Sequence, residues 1–280
     1  MRREIDASAV TEAVARLCAE ANYNLGTDVR TALERCAARE GNPRGLRVLE
    51  SILENADIAK REQTAICQDT GMSVVFVTLG RDAYVNGNIE AAVNEGVRLG
   101  YDRGCLRKSV VGDPLRRRNT GDNTPAVIHY EMTEGDGVEL TVAPKGFGSE
   151  NMSALKMLKP SDGGAGVMDF VVETVRSAGG NPCPPVVVGV GIGGTMEKAA
   201  YLAKKALLRD VDGANPDPYY ADMEAALLER INALNIGPMG WGGRATALGV
   251  NILTYPTHIA GLPAAVNVSC HVTRHASAIL

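Results

Sequence analysis

The sequence predicts an α/β fold: an N-terminal helical lobe over residues 1–62, then a mixed α/β region over 63–280 whose chemically interesting loops fall at strand ends. Three observations carry that prediction. Before Cys67, apolar side chains recur at helical spacing and no strand signal interrupts them. From Cys67 onward, runs rich in Val and Ile alternate with helical patterns. A chain of 280 residues, 45% hydrophobic and 22% charged, can bury a large core in one continuous region.

The elements follow in order. Val10, Val14, Leu17 and Ala21 repeat at helical spacing, and Ser8 is a suitable N-cap, so residues 8–22 read as an amphipathic helix. A second helix runs from about Asp28 to Arg39 and stops at Gly41-Asn42-Pro43. A third covers roughly 44–63, with Leu46, Leu49, Ile52 and Leu53 on one face. Strand signals lie at 73–79, 126–132, 137–143, 185–190, 250–255 and 264–269. Helical patterns lie at 88–103, 162–178, 195–209 and 217–235. The strands 126–132 and 137–143 are separated by Glu134-Gly135-Asp136-Gly137, which predicts a hairpin.

Composition narrows the function. A net charge of −4 argues against a protein built to hold polyanions, and 4% aromatic residues offer few stacking platforms for nucleic acid. No apolar run approaches the length of a membrane span, and the start has no apolar signal region. The expected location is cytoplasmic. In that reducing setting six cysteines are expected as thiols. Cys18 and Cys36 fall inside helical patterns and read as small buried apolar residues, and Cys105 reads as structural.

Cys67, Cys183 and Cys270 differ. Each sits between a loop and a strand signal: Cys67 in Ile66-Cys67-Gln68-Asp69-Thr70-Gly71, Cys183 in Asn181-Pro182-Cys183-Pro184-Pro185, and Cys270 after Ala264-Ala265-Val266-Asn267-Val268. Our reading is that they meet and hold one iron–sulfur cluster; for each alone, a buried apolar role is the alternative. Three thiolates on a four-iron cluster leave one iron open to a hydroxyl and a carboxylate. The wide separations, 183−67 = 116 and 270−183 = 87 residues, suit an enzyme interior better than the clustered spacing of electron carriers.

Other motifs are less specific. Gly189-Val190-Gly191-Ile192-Gly193-Gly194 fits a dinucleotide-binding pattern, but the acidic residues about twenty positions on, Asp210 and Asp212, end a helix rather than a strand. Backbone N–H groups near an anion are the better reading of these glycines. Pro144-Lys145-Gly146-Phe147-Gly148-Ser149 reads either as a plain turn or as a backbone cradle beside a lysine. Arg116, Arg117 and Arg118 read as a solvated basic face, whereas Arg107 precedes a break in the helical pattern and suits a small carboxylate. Of four histidines, His129 reads as a strand residue, His258 has a site-like place at a strand end, and His271 and His275 flank Cys270.

Taken together, Ile66–Gly71, Asn119-Thr120-Gly121-Asp122-Asn123-Thr124-Pro125-Ala126, Gly148-Ser149-Glu150-Asn151, Asn181–Pro185 with the glycines after it, Gly237-Pro238-Met239-Gly240, and His258-Ile259-Ala260-Gly261-Leu262-Pro263 through Cys270-His271 resemble one family. It is the α subunit, or N-terminal half, of class I fumarate hydratases and L-tartrate dehydratases. The resemblance implies a [4Fe–4S] hydro-lyase with cluster ligands Cys67, Cys183 and Cys270. It implies catalytic roles for Asp69 and His258, and substrate contacts from Gln68, Arg107, Lys145, Gly146 and Gly148. Phe147 stands where relatives often have a small residue. The expected reaction is reversible hydration of fumarate to malate, a step of the tricarboxylic acid cycle. L-Tartrate or methylfumarate is the alternative substrate, and a nicotinamide dehydrogenase or a noncatalytic iron–sulfur module the remote one. No matched motif offers a carbon-acid base, and only ten residues follow Cys270 (280−270). The expectation is therefore a separate β subunit carrying the C-terminal domain, in an α2β2 assembly.

Overall fold

A computed structural model of the chain describes residues 2–280. Its elements, in chain order, are β1 (Arg3–Asp6), α1 (Ala7–Tyr23), α2 (Thr27–Arg39), α3 (Pro43–Glu62), β2 (Met72–Gly80), β3 (Ala83–Asn86), α4 (Ile89–Arg103), β4 (Val127–Thr133), β5 (Val138–Lys145), α5 (Phe147–Glu150), β6 (Ala154–Leu158), α6 (Gly163–Ala178), β7 (Val186–Gly193), α7 (Met196–Ala206), α8 (Pro218–Asn232), β8 (Ala247–Tyr255), β9 (Leu262–Ser269) and β10 (Ala276–Ile279). The α/β class is as the sequence predicts. The chain forms two compact units: residues 1–25, 55–147 and 274–280 make the first, and 26–54 with 148–273 the second. Within the stretch 1–62, α1 thus belongs to the first unit and α2 to the second.

In the first unit a four-stranded sheet has the order β10-β5-β2-β4. β2 is central because its run Val74-Val75-Phe76-Val77 is buried on both faces. Val10, Val14 and Leu17 of α1 and Val93, Val97 and Tyr101 of α4 complete the core against Val75, Val77, Leu140 and Val142. Asp6 caps α1 by accepting from the Ser8 N–H, and the Asn88 side chain caps α4 at the Ala91 N–H.

The expected hairpin is corrected here. β4 and β5 do not pair; they flank β2, parallel on one side and antiparallel on the other. The turn 134–137 arches over the end of β2, whose Gly80 N–H donates to Gly137 O while Asp82 N–H donates to Gly135 O. A four-residue link with glycines serves a tight hairpin or such an arch equally well. The long apolar β2 wins the central place, because the more exposed β4 leaves fewer apolar side chains in water at the edge.

In the second unit the sheet order is β6-β9-β7-β8, with β7 parallel to β8 and antiparallel to β9. β7 is buried along its whole length. Val188, Val190 and Ile192 face the helices α6 and α8, whose Val167, Val171, Leu227 and Ile231 share their core. The alternate positions face α7, where Ala199 and Ala203 meet Ala265 of β9.

Candidate functional site

In the first unit the chemistry-bearing residues collect around the turn between Ile66 and β2. Half-buried Cys67 opens it, and the Asp69 N–H points at the Cys67 sulfur from 3.4 Å. The Gln68 Oε1 lies 3.4 Å from the same sulfur. Both oxygens of the Asp69 carboxylate are engaged by main chain: Oδ1 accepts from Gly71 N–H at 3.0 Å and Oδ2 from Phe147 N–H at 2.9 Å. Asp69 thereby clamps its own turn to the one that follows β5. An ionised carboxylate retains lone pairs beyond those two bonds, so a further donor can still be bound.

The main-chain carbonyls of this turn are satisfied from behind. The Tyr101 hydroxyl, fully buried on α4, donates to Thr70 O at 2.7 Å and Gly71 O at 3.0 Å. The Asn123 amide also donates to Gly71 O, while its Oδ1 accepts the N–H groups of Ser109 and Val110. Asn123 has φ 64° and is wholly buried, a conformation asparagine tolerates better than most side chains. The Thr70 hydroxyl donates to Arg107 O at 2.9 Å. So the backbone of Arg107 is fixed to the Cys67 turn while its guanidinium stays exposed and makes no ion pair or side-chain hydrogen bond among the described residues. Lys145 is buried, and its ammonium donates to Gly146 O at 3.3 Å. By contrast, Arg116, Arg117 and Arg118 are all exposed.

In the second unit Cys183 and Cys270 come to the same end of the sheet. Register pairs Val187 near the start of β7 with Ser269 at the end of β9. Cys183 adopts φ 55°, and its carbonyl accepts from His271 N–H at 3.4 Å and contacts His271 Nδ1 at 2.8 Å. The same end gathers other segments that carry the resemblance. Met239 N–H donates to Pro184 O at 2.7 Å, and a Cβ on Gly148 would lie 3.9 Å from Asn181 O.

His258 stands at the other end of this sheet. It follows β8, whose Tyr255 pairs with Gly193 at the far end of β7. Eight strand residues rising about 3.3 Å each place roughly 20 Å or more between it and the two cysteines. His258 is exposed, and its Nδ1 accepts from Ala260 N–H at 3.1 Å. The neutral ring therefore carries its proton on Nε2, directed away from that turn.

The glycine-rich stretch after Val188 has a packing explanation. A Cβ on Gly189 would lie 2.2 Å from Ala203 O, and one on Gly191 2.1 Å from Ala199 O. These glycines let α7 lie directly on β7. The Glu197 carboxylate, bonded by the Thr195 hydroxyl, occupies the first turn of α7. A pyrophosphate cradle is not the role the glycines play.

None of the six cysteines is in a disulfide. Among the described residues no three His, Cys, Asp or Glu side chains form a group that could hold a single metal ion. Sequence reasoning passed over Tyr101, Asn123 and Arg274. Asn123 sits inside a segment that carries the resemblance and could have been found there; Tyr101 and Arg274 carry no local signal.

Compared with known proteins, residues 11–279 match the family described as Fumarate hydratase (Fumerase). A protein of Methanocaldococcus jannaschii, provisionally named L(+)-tartrate dehydratase subunit alpha, is 43% identical over 276 residues, covering 95% of this chain and 96% of that one. The L(+)-tartrate dehydratase subunit alpha of Escherichia coli O157:H7 is 31% identical over 274 residues, covering 97% and 90%. Its counterpart in Escherichia coli UTI89 is 32% identical over 268 residues, covering 95% and 88%.

Proposed function

The chain belongs to the fumarate hydratase (fumerase) family, and from that premise we propose that it is the α subunit of a [4Fe–4S] hydro-lyase that adds water reversibly to fumarate to give malate. The observation that carries this reading is the doubly held Asp69 carboxylate, one residue from Gln68 and two from Cys67, on a turn that also anchors Arg107.

The donor set fits a cluster. Cys67 of the first unit and Cys183 and Cys270 of the second are half-buried and supply only thiolate sulfur, the soft donor that iron–sulfur centres take. When bound, such a cluster supplies a Lewis-acidic iron. The chain's own residues do the rest. The exposed Arg107 guanidinium binds a substrate carboxylate as a two-pronged donor, and the Gln68 amide adds a further contact. Lys145 and the backbone at Gly146 and Gly148 orient the dicarboxylate. Asp69, fixed by two backbone N–H groups with no freedom to swing away, takes a proton from the water that adds to fumarate and, in the reverse direction, returns it to the hydroxyl that leaves malate as water. The His258 Nε2 carries a proton to the same chemistry only when a second copy of the chain presents it, since a strand's length separates it from Cys183 and Cys270.

A β subunit supplies the base that takes the carbon-bound proton and the second carboxylate anchor, in an α2β2 enzyme of the cytoplasm. Two observations are consistent with that setting: the relatives are named as α subunits, and no helix is long and apolar enough to cross a membrane among the described residues. The relatives' names favour a second reading, in which L-tartrate is dehydrated. The experiment is anaerobic cluster reconstitution of the chain with its β partner, then assays on malate, L-tartrate and methylfumarate. The expected result is the largest kcat/KM with malate. A larger value with L-tartrate moves the assignment to the second reading, and a loaded complex inert toward all three overturns both.

A further inference from the structure

Arg274 is a buried cation that no part of the reaction described above uses. It is 7% exposed. Its Nη2 donates to the main-chain carbonyl of Asp69 at 2.6 Å, and its Nε is buried with no partner. No carboxylate pairs with it among the described residues, and the Asp69 carboxylate is turned instead to the N–H groups of Gly71 and Phe147. A guanidinium taken out of water with neither a counter-charge nor a full set of acceptors is costly, and stability alone would favour an apolar side chain of similar volume. The Tyr101 hydroxyl feels the charge of Arg274, and beside Tyr101 lie Asn22 and Ser73, whose Oδ1 and Oγ are buried without a hydrogen-bond partner.

The three carbonyls of that turn divide among few donors. Tyr101 takes Thr70 O and, with Asn123, Gly71 O; among the described residues Arg274 alone donates to Asp69 O. Asn55 holds the entry to the turn by donating to Ile66 O at 2.8 Å, and Arg274 holds the next engaged carbonyl, Asp69 O, the one that follows Cys67 and Gln68.

On the hydro-lyase reading, we infer that Arg274 is a positioning residue for this reaction. It holds the Asp69 backbone so that the Asp69 carboxylate and Gln68 keep their aim, and its charge is retained to balance the anionic contents of the loaded site rather than to stabilise the empty fold. It does not touch substrate.

The test compares Arg274→Met and Arg274→Ala with wild type, in the cluster-loaded complex with the β partner. The expected result for Arg274→Met is a kcat at least tenfold lower, a KM within threefold, and a melting temperature of the unloaded chain unchanged or raised. For Arg274→Ala, added guanidinium should restore kcat at least tenfold. A kcat within threefold of wild type in Arg274→Met overturns the inference whatever happens to melting. So does a kcat loss that accompanies a lower melting temperature and is not restored by guanidinium. If loaded wild type is inert toward malate, L-tartrate and methylfumarate, it is the hydro-lyase reading that fails. The anchor is then read in the unloaded chain by amide hydrogen exchange over 67–71: Arg274→Met should speed it at least tenfold, and an unchanged rate overturns the inference.

Discussion

Replacing Gly71 by alanine tests whether the Cys67 turn and the turn after β5 form one rigid body. Gly71 has φ 77°, and a Cβ built there would lie 2.7 Å from Lys145 N and 2.8 Å from both Lys145 C and O. Two costs follow. The left-handed backbone costs a non-glycine residue about 1–2 kcal/mol. The steric term is separate: three backbone atoms must retreat by roughly 0.6 Å to reach ordinary contact, and overpacking of that kind costs about 1–3 kcal/mol. The sum is about 2–5 kcal/mol. Gly121→Ala is the control, because Gly121 has φ 86° and a methyl placed on it would meet nothing within 4 Å, so it bears the conformational cost alone. Denaturant unfolding of the two variants, followed by circular dichroism, isolates the steric term as their difference. Turnover should fall at least tenfold in Gly71→Ala and stay near wild type in Gly121→Ala, because the Asp69 clamp from Gly71 N–H to Phe147 N–H is pried open only in the first. Equal destabilisation by the two substitutions would refute the reasoning: the Lys145 backbone would then be yielding freely, and the two turns would not be one body.

Arg107→Ala should weaken substrate binding far more than Arg117→Ala, by about 1.5–3 kcal/mol for a lost charge-assisted contact, and matching KM values would refute that assignment. The sheet places His258 away from Cys183 and Cys270, so mixing the inactive variants His258→Ala and Cys67→Ala in one assembly should restore turnover; a mixture as dead as its parts would remove the second-copy role. Burial pushes the Cys18 thiol up from 9.0 to about 12. Between those values the unfolded chain releases this proton and the folded chain keeps it, so folding stability should fall as pH rises through that window and be intact below it. Cys18→Ala should flatten that alkaline decline, and an equally steep decline in the variant would count against a neutral buried thiol. Iodoacetamide at mildly alkaline pH should modify exposed Cys105 well before Cys18, with mass-mapped labelling as the check.

The sequence by itself determined the α/β class, the places of most long elements, and the segments that define the family. Those are local properties. Helical spacing in α1 and the apolar runs Val74–Val77 of β2 and Val186–Val188 of β7 hold whatever the neighbours are. Short edge elements such as β1, β3, β6 and β10 were not legible, since strands of four or five residues owe their existence to the partner they pair with. Only tertiary structure decided that β4 and β5 part around β2 rather than forming a hairpin. The glycines after Val188 look like a nucleotide loop in one dimension, and only the approach of α7 shows that they are there to admit a helix. The same holds at the candidate site. Motif positions pointed to Cys67, Asp69 and Arg107. Nothing in the sequence announced that Tyr101, thirty residues away, and Arg274, at the other end of the chain, hold the carbonyls behind them. A hydrogen bond to main chain needs a donor at the right point in space, and the sequence around that donor carries no trace of it.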